Sequence, residues 1–306
     1  MRVRVGDDVF DSVVALHGPA RSRAQHASCV IEVASRLPCR PRSWTQVADT
    51  EDLWVGRADR CTVACLDGAA DLAVSHDGTR IVVRPHDDLA GAALSHLVLD
   101  VAMPLRLAVL GRTVLHATAV ALDNQAVAFT APSGAGKSTM AVAWCARGAL
   151  LVADDCLEVR RRGDGPLMVV PSYPGSRLRP DAAARLAVGS SLADGGAGKR
   201  FVGSLPHATG HVPLAAVVLV HPVGADEPVA VRSLGAIDAF EQVRRQLFFA
   251  ELDRGEARDR SIAQLAELVE RCEVLVADVP RDLARLDESF AAIGEAAGVV
   301  RRVAVA

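Results

Sequence analysis

One short segment constrains the fold of this chain more than any other. Residues 131–139 read Ala-Pro-Ser-Gly-Ala-Gly-Lys-Ser-Thr, which matches the phosphate-binding pattern G-x-x-x-x-G-K-[ST], or Walker A motif, with Ala131 in place of the first glycine. Such a loop turns successive backbone N–H groups towards a polyphosphate, and Gly134 and Gly136 permit the backbone angles that this requires. The predicted nucleotide-binding residues are Ala131, Pro132, Ser133, Gly134, Ala135, Gly136, Lys137, Ser138 and Thr139.

The flanks of this loop have the expected patterns. Gln125–Thr130 is typical of a buried strand, and Thr139–Arg147 of a helix that ends at Gly148. Lys137 would reach the β- and γ-phosphates of a nucleotide, and the Ser138 hydroxyl would ligate Mg²⁺ at a helix N-terminus. The segment therefore predicts an α/β fold that binds a nucleotide together with Mg²⁺.

Composition excludes several classes of partner. The 306 residues can bury one large core or two modest ones, and a net charge of −3 gives no basic footprint for nucleic acid. The longest apolar stretch, Leu94–Leu110, is interrupted by His96, Asp100, Pro104 and Arg106, which indicates a core helix and not a membrane span. The first residues lack the apolar region of a secretion signal. We expect a cytoplasmic protein without nucleic-acid or membrane partners.

The cysteines give no sign of a disulfide framework or a metal site. Their number is odd, no CxxC pair occurs, and an intracellular protein keeps its thiols reduced, so we expect free thiols throughout. The seven positions are Cys29, Cys39, Cys61, Cys65, Cys145, Cys156 and Cys272.

Patterning divides the chain into residues 1–88 and 89–306. The first region predicts short strands such as Cys29–Val33, Cys61–Leu66 and Arg80–Arg84, separated by turn signals. A helix is predicted over Leu89–Leu110, capped by the residues at 86–88 and kinked or broken at Pro104. Further along, the pattern predicts a hairpin of Leu157–Arg162 and Leu167–Val170 across Gly163-Asp164-Gly165. Later helices are predicted over Ala236–Leu252, Ser261–Arg271 and Arg281–Ala296.

A second motif, Asp154-Asp155, lies downstream of the phosphate-binding loop. Asp154 and Asp155 end the strand predicted after the loop helix, and residues 137 and 155 are separated by one helix, one turn and one strand. This spacing returns the strand end to the loop. Paired carboxylates there suit phosphoryl transfer, since one can hold Mg²⁺ while the other accepts the proton of the acceptor hydroxyl. Adjacent strand residues point to opposite faces, so the two need not share a role.

Further polar residues are ambiguous by themselves. His116 lies in an apolar strand predicted over Val114–Leu122, where a lone histidine is more often a core residue. Arg177 and Arg179 lie in a constrained turn, and Lys199-Arg200 ends a small-residue loop. Such cations either stabilise a transferring phosphoryl group or are solvated surface charges.

Taken together in order, these motifs resemble the C-terminal kinase domain of the HPr kinase/phosphorylase family, and within it HPr-kinase-like proteins of peptide-modification pathways, including lasso-peptide precursor kinases. The resemblance spans roughly residues 90–222. It rests on Met103-Pro104-Leu105-Arg106-Leu107, Leu115-His116-Ala117-Thr118-Ala119-Val120, the loop at 131–139, Ala153-Asp154-Asp155, Pro174-Gly175-Ser176-Arg177-Leu178 and Lys199-Arg200.

The resemblance implies a P-loop kinase of the HPr kinase/PEP carboxykinase-like type, a mixed sheet with flanking helices, preceded by a β-rich region that could recognise substrate. It implies that Asp154 is the general base, that Asp155 and Ser138 hold the metal, and that His116 lies beside the γ-phosphate and metal. Lys137 completes the catalytic set. By the same resemblance, Arg177, Lys199 and Arg200 contact phosphate or substrate.

One departure limits what the family implies. After Lys199-Arg200 the chain lacks the Glu-x-Arg-Gly-rich segment of the bifunctional enzymes, so HPr as substrate and phosphorylase activity are not expected. The sequence predicts an ATP- and Mg²⁺-dependent kinase acting on a hydroxyl, foremost a Ser of a peptide or protein. The alternatives are a small-molecule hydroxyl such as free serine or a natural-product alcohol, a nucleotide-binding regulator without transfer, and a carboxykinase-like reaction. A homo-oligomer could supply Arg244, Arg245 or Arg254 in trans.

Overall fold

The computed structural model describes residues 1–16, 18–47, 52–86, 89–161, 163–186, 192–194, 198–203, 205–253 and 255–299. Asp87 and Asp88 of the expected helix cap lie outside these residues, as do Arg254 and most of the loop at 189–199. The architecture is mixed α/β, in agreement with the sequence.

The first region forms a sheet with one face in a large apolar cluster and part of the other face in a smaller one. Strands such as Cys61–Leu66 therefore carry runs of buried residues in place of a strict alternation. Tight turns at Asp67-Gly68 and Asp77-Gly78 use glycines in the left-handed region. The strands are β1 (Arg2–Val5), β2 (Asp8–Ser12), β3 (Ala20–Arg21), β4 (Cys29–Val33), β5 (Thr45–Gln46), β6 (Leu53–Arg57), β7 (Cys61–Leu66), β8 (Ala70–Ser75) and β9 (Arg80–Pro85). Their order in the sheet is β3-β1-β2-β4-β9-β8-β7-β6-β5.

A long helix follows, with an irregularity in its middle. It consists of α1 (Gly91–Leu97), a π-helical segment over Val98–Ala102, and α2 (Met103–Val109). The irregularity lies before Pro104 and not at it, because proline has no N–H to bond the carbonyl of residue 100. Length and composition alone would let Gly91–Val109 cross a membrane, but 56% of that window is buried within the protein. The helix packs on the apolar face of the first sheet, as a core helix does.

The described strands after the helix form a mixed sheet and a small antiparallel one. They are β10 (Thr113–Leu115), β11 (Ala117–Leu122), β12 (Gln125–Thr130), β13 (Leu150–Ala153), β14 (Leu157–Arg161), β15 (Leu167–Val170), β16 (Gly175–Leu178), β17 (Leu192–Asp194), β18 (Arg200–Gly203), β19 (Val212–Val223), β20 (Ala230–Ser233) and β21 (Glu273–Pro280).

The loop-bearing strand lies inside the mixed sheet. Its central order is β13-β11-β12-β19-β21-β20; β12, β19 and β21 run parallel, while β10, β14 and β15 extend the sheet from the start of β19. The predicted continuous strand Val114–Leu122 is wrong, because it breaks at His116. Before the break β10 pairs with β14, and after it β11 pairs with β12 and β13. β16, β18 and β17 form the small sheet.

The helices pack on this mixed sheet. Trp144 of the loop helix is fully buried, edge-on to Phe129 of β12 and to Phe290. Two expected helices are shorter than the sequence predicted: Ala236–Leu252 is helical only to Arg244, and Arg281–Ala296 begins at Leu286. The remaining helices are α3 (Lys137–Cys145), α4 (Pro180–Leu186), α5 (Ala236–Arg244), α6 (Glu256–Arg271) and α7 (Leu286–Ala296), with 3₁₀ turns at Ala250–Leu252 and Leu283–Arg285.

The expectation of free thiols throughout is wrong at one pair. Cys39 and Cys61 form a disulfide, with Cα atoms 6.7 Å apart, while the other five cysteines are free. The pair is 22 residues apart in sequence, and it meets because the chain before β5 folds over β7 in a small apolar cluster with Leu37 and Val63. Sequence spacing gives no sign of that contact.

Candidate functional site

The glycine-rich segment forms a loop between β12 and α3. Gly134 and Gly136 have φ angles of 80° and 104°, in the region that favours glycine. Pro132, Ser133 and Gly134 are exposed, so the loop faces solvent at the N-terminus of α3. Ala131 is buried at the end of the strand and is not among the described residues with positive φ, which explains why alanine is tolerated at the first position of the motif.

Lys137 turns back into the loop. Its side chain is buried, and Nζ donates a 2.7 Å hydrogen bond to the Ala131 carbonyl. Burial lowers the pKa of Lys137, while the charges of Asp155 and Asp154 act in the opposite direction. The partly desolvated ammonium of Lys137 is thereby held against Ala131, the first residue of the phosphate-binding loop.

Asp154 connects three elements of the site. Its Oδ1 accepts hydrogen bonds from Thr118 Oγ1 of β11 at 2.7 Å and from Ser138 Oγ of α3 at 2.9 Å. Its Oδ2 accepts bonds from Ser176 Oγ at 2.7 Å and from the Arg177 backbone N–H at 3.1 Å, both on β16. Burial raises the pKa of Asp154, the charge of Asp155 adds to this, and the hydroxyl bonds oppose it.

Asp155 faces a different set of partners. Its φ of 61° places it in the left-handed region, directly after β13 ends. Its Oδ1 lies 3.6 Å from Nε2 of His116, and its Oδ2 accepts a 2.9 Å bond from Arg177. Burial acts to raise the pKa of Asp155, but the bond and charge of His116 and the charges of Arg177 and Lys199 outweigh it, so this pKa is lowered. The predicted separation of the two carboxylates is present, yet the Ser138 hydroxyl is bonded to Asp154 and not to Asp155.

Arg177 is buried behind Asp155. Its Nη2 contacts Oδ2 of Asp155 at 2.9 Å and Oδ2 of Asp100 at 2.6 Å, and its Nη1 contacts Nε2 of His96. Tyr173 donates a 3.1 Å bond to Oδ1 of Asp100. Asp100 and His96 were visible in the sequence only as interruptions of an apolar helix. The sequence expected Arg177 to contact phosphate or substrate, whereas two buried carboxylates hold its guanidinium.

His116 lies at the break between β10 and β11. Its ring packs against Phe248 with centroids 5.3 Å apart, and its backbone N–H donates to the Gln246 carbonyl. The side chain is 37% exposed, so it is not enclosed in the core as a lone strand histidine usually is. Phe248 lies on a segment 130 residues away in sequence and carried no recognisable signal.

The other predicted cations, Lys199 and Arg200, do not occupy equivalent positions. The charge of Lys199 affects the pKa of both Lys137 and Asp155, so it lies at the site. Arg200 is exposed on β18, in register with Leu178 of β16. Arg179, for which the sequence left open a phosphate-stabilising role or a surface charge, has Nη2 only 3.2 Å from where a side chain on Gly134 would begin, and so lies over the loop.

The residues present fit a nucleotide-bound Mg²⁺. In the part of the chain that the structure describes, no group of three or more His, Cys, Asp or Glu side chains could hold a metal by protein ligands alone. Mg²⁺ bound with substrate phosphates needs only one or two protein groups. The Ser138 hydroxyl beside the Asp154 carboxylate, 2.9 Å away, is such a donor set.

Comparisons with known proteins find similarity among solved structures only. No protein-family model matches the chain, and no curated protein matches it significantly. Among solved structures, the chain is similar to the HPr(Ser) kinase/phosphatase from Coxiella burnetii at 14% sequence identity and a TM-score of 0.32, over 60% of this chain and 95% of that chain.

Proposed function

We propose that this chain is an ATP- and Mg²⁺-dependent kinase of the P-loop, HPr-kinase-like type, which transfers the γ-phosphate to a hydroxyl group, foremost a Ser of a peptide or protein. The observation that carries the proposal is the division of labour between the two aspartates. Asp154 is bonded to the loop serine, while Asp155 faces His116 beside it. A kinase needs both a metal-side carboxylate and an acceptor-side carboxylate at the end of this strand.

The geometry favours an exchange of the roles that the family resemblance implied. We assign Asp154, with Ser138, to the metal, and Asp155 to the acceptor. When bound, Mg²⁺ neutralises charge on the β- and γ-phosphates. The loop N–H groups and Lys137 bind the phosphates, with Arg179 and Lys199 as further cations beside the loop.

Asp155 accepts the proton of the acceptor hydroxyl at a carboxylate oxygen as the new O–P bond forms. Its lowered pKa makes it a late acceptor, since the hydroxyl becomes acidic only when that bond is well advanced. His116, 3.6 Å from Oδ1, and Arg177, 2.9 Å from Oδ2, fix the carboxylate between them. A regulator that only binds nucleotide has no need of this second carboxylate.

The test is transfer from γ-labelled ATP with Mg²⁺, scored by mass spectrometry against two pools. One holds serine-containing peptides, some of which end in Ser, and the other holds hydroxy metabolites including free L-serine. Transfer to a peptide supports the proposal, and transfer only to a metabolite supports a small-molecule kinase. Bound nucleotide without transfer to either pool would refute kinase activity in favour of the regulator.

The control is Lys137→Ala, which should abolish transfer. A matched variant is Asp287→Asn, because Asp287 is 81% exposed and pairs with Arg147 at the far end of the loop helix. That variant should retain wild-type transfer.

A further inference from the structure

A carboxylate on the long helix lies behind the candidate acceptor site. Asp100 belongs to the π-helical segment Val98–Ala102, where the Met103 N–H bonds the Val98 carbonyl five residues back. Such one-turn π segments occur frequently at functional sites. Asp100 is 8% exposed, which is unusual for an aspartate on an otherwise apolar helix.

The contacts of Asp100 connect it to Arg177 and, through Arg177, to Asp155. Oδ2 of Asp100 lies 2.6 Å from Nη2 of Arg177, the same nitrogen that donates to Asp155 at 2.9 Å. His96, one turn earlier, contacts both Asp100 and Arg177. Tyr173 holds the other oxygen of Asp100 at 3.1 Å.

One guanidinium nitrogen is therefore shared between two buried carboxylates. Arg177 already lies at full hydrogen-bond distance from Asp155, and Asp100 fixes the guanidinium from its other side. Without the Asp100 charge, Arg177 loses the second attraction that sets its position and would shift away from residue 100 together with Asp155, since a buried cation keeps its remaining anionic partner. Such a movement turns Asp155 away from an acceptor hydroxyl without touching the phosphate loop.

We propose that Asp100 is a positioning residue, which anchors Arg177 and so keeps Asp155 aimed at the acceptor. This rests on the proposed kinase function and adds to it residues from a helix outside the phosphate loop. It predicts an effect on turnover and not on nucleotide binding, because Asp100 reaches the site only through Arg177.

The experiment compares Asp100→Asn, Tyr173→Phe and Asp8→Asn with wild type. Asp8→Asn is the matched control: Asp8 pairs with the buried Arg106 of the same long helix, away from the site. With the serine-peptide pool and free L-serine as acceptors, Asp100→Asn should lower kcat by about 100-fold, as a 1 Å misplacement does. Tyr173→Phe, which removes one neutral hydrogen bond, should lower kcat by roughly 3- to 10-fold. KM for ATP should stay within about twofold in all three.

Two outcomes overturn the proposal. One is unchanged kcat in both Asp100→Asn and Tyr173→Phe; the other is an equal loss of kcat in Asp8→Asn, which would mean general destabilisation.

Crystal structures of wild type and Asp100→Asn separate this inference from the proposed function. The guanidinium of Arg177 should lie on the order of 1 Å farther from residue 100 in the variant, and an unmoved Arg177 would overturn the inference. If wild type transfers phosphate to neither pool, the kinase proposal fails, and the crystallographic comparison still decides whether Asp100 positions Arg177.

Discussion

Replacing each of the two neighbouring aspartates by asparagine should damage the protein in different ways. In Asp155→Asn the group that we propose to accept the hydroxyl proton is lost, while the Ser138–Asp154 contact is untouched. Positioned general bases contribute typically 10²–10⁴-fold, which corresponds to about 3–5 kcal/mol in the activation free energy. Arg177 keeps Asp100 as a partner at 2.6 Å, so the variant should fold. We expect kcat to fall by that factor and the affinity for Mg²⁺·ATP to change little.

In Asp154→Asn we expect weaker binding of Mg²⁺·ATP. The Ser138 hydroxyl is 2.9 Å from Oδ1, so our proposal has Asp154 act on the metal beside or behind Ser138. Loss of such a supporting group costs roughly 10- to 100-fold in metal affinity, or about 1.4–2.7 kcal/mol. The three hydroxyls can rotate to suit an amide, and the amide oxygen can still accept the Arg177 N–H, so folding should survive.

Isothermal titration with ATP at several Mg²⁺ concentrations, alongside initial transfer rates, measures both effects. The assignment is refuted if Asp155→Asn transfers at the wild-type rate, or if Asp154→Asn binds Mg²⁺·ATP as tightly as wild type. The reverse pattern, with binding lost in Asp155→Asn only, would restore the assignment that the family resemblance implied.

Other predictions concern stability. In Gly175→Ala the new Cβ would lie 2.3 Å from Cζ of Phe201, so unfolding free energy should fall by about 1–3 kcal/mol in denaturant titrations, whereas Gly210→Ala, with open space around it, should not be destabilised in this way. Asp8→Asn leaves the buried Arg106 without its carboxylate partner and should cost roughly 3 kcal/mol at neutral pH. Burial acts to raise the pKa of Asp8, but the bond and charge of Arg106 lower it, so its contribution is present above about pH 4 and is lost as the pH falls further. The difference in stability between wild type and Asp8→Asn should therefore shrink in acid, and a constant difference would contradict this.

The strand, loop, helix and following strand could be predicted because their signals are local. Gln125–Thr130 has the predicted bounds, and α3 begins two residues before the predicted Thr139. Glycines of fixed conformation and one short crossover bring Asp154 next to Ser138, as the spacing indicated. The hairpin of β14 and β15 follows from the Gly163-Asp164-Gly165 signal in the same way.

What could not be predicted depends on contacts between distant segments. His96 and Asp100 reach Arg177 only because the long helix packs between the two sheets, and Phe248 meets His116 through a turn far along the chain. The roles of the two aspartates depend on one backbone angle. Asp155 adopts φ 61°, so strand alternation no longer describes where its side chain points. Neither propensity nor spacing specifies that angle.

The π-helical segment also lets one long helix serve two ion-pair groups. His96 and Asp100 contact Arg177, and after the segment Arg106 reaches Asp8 on the first sheet. The segment holds one residue more than an α-helical turn, because the Met103 N–H bonds the carbonyl five residues back. Each residue turns a regular α-helix by about 100°, so a residue inserted into or deleted from the regular helix between Asp100 and Arg106 would rotate one group relative to the other. Only one of the two groups could then keep its partner, whereas the turns at Gly68 and Gly163 can vary in length.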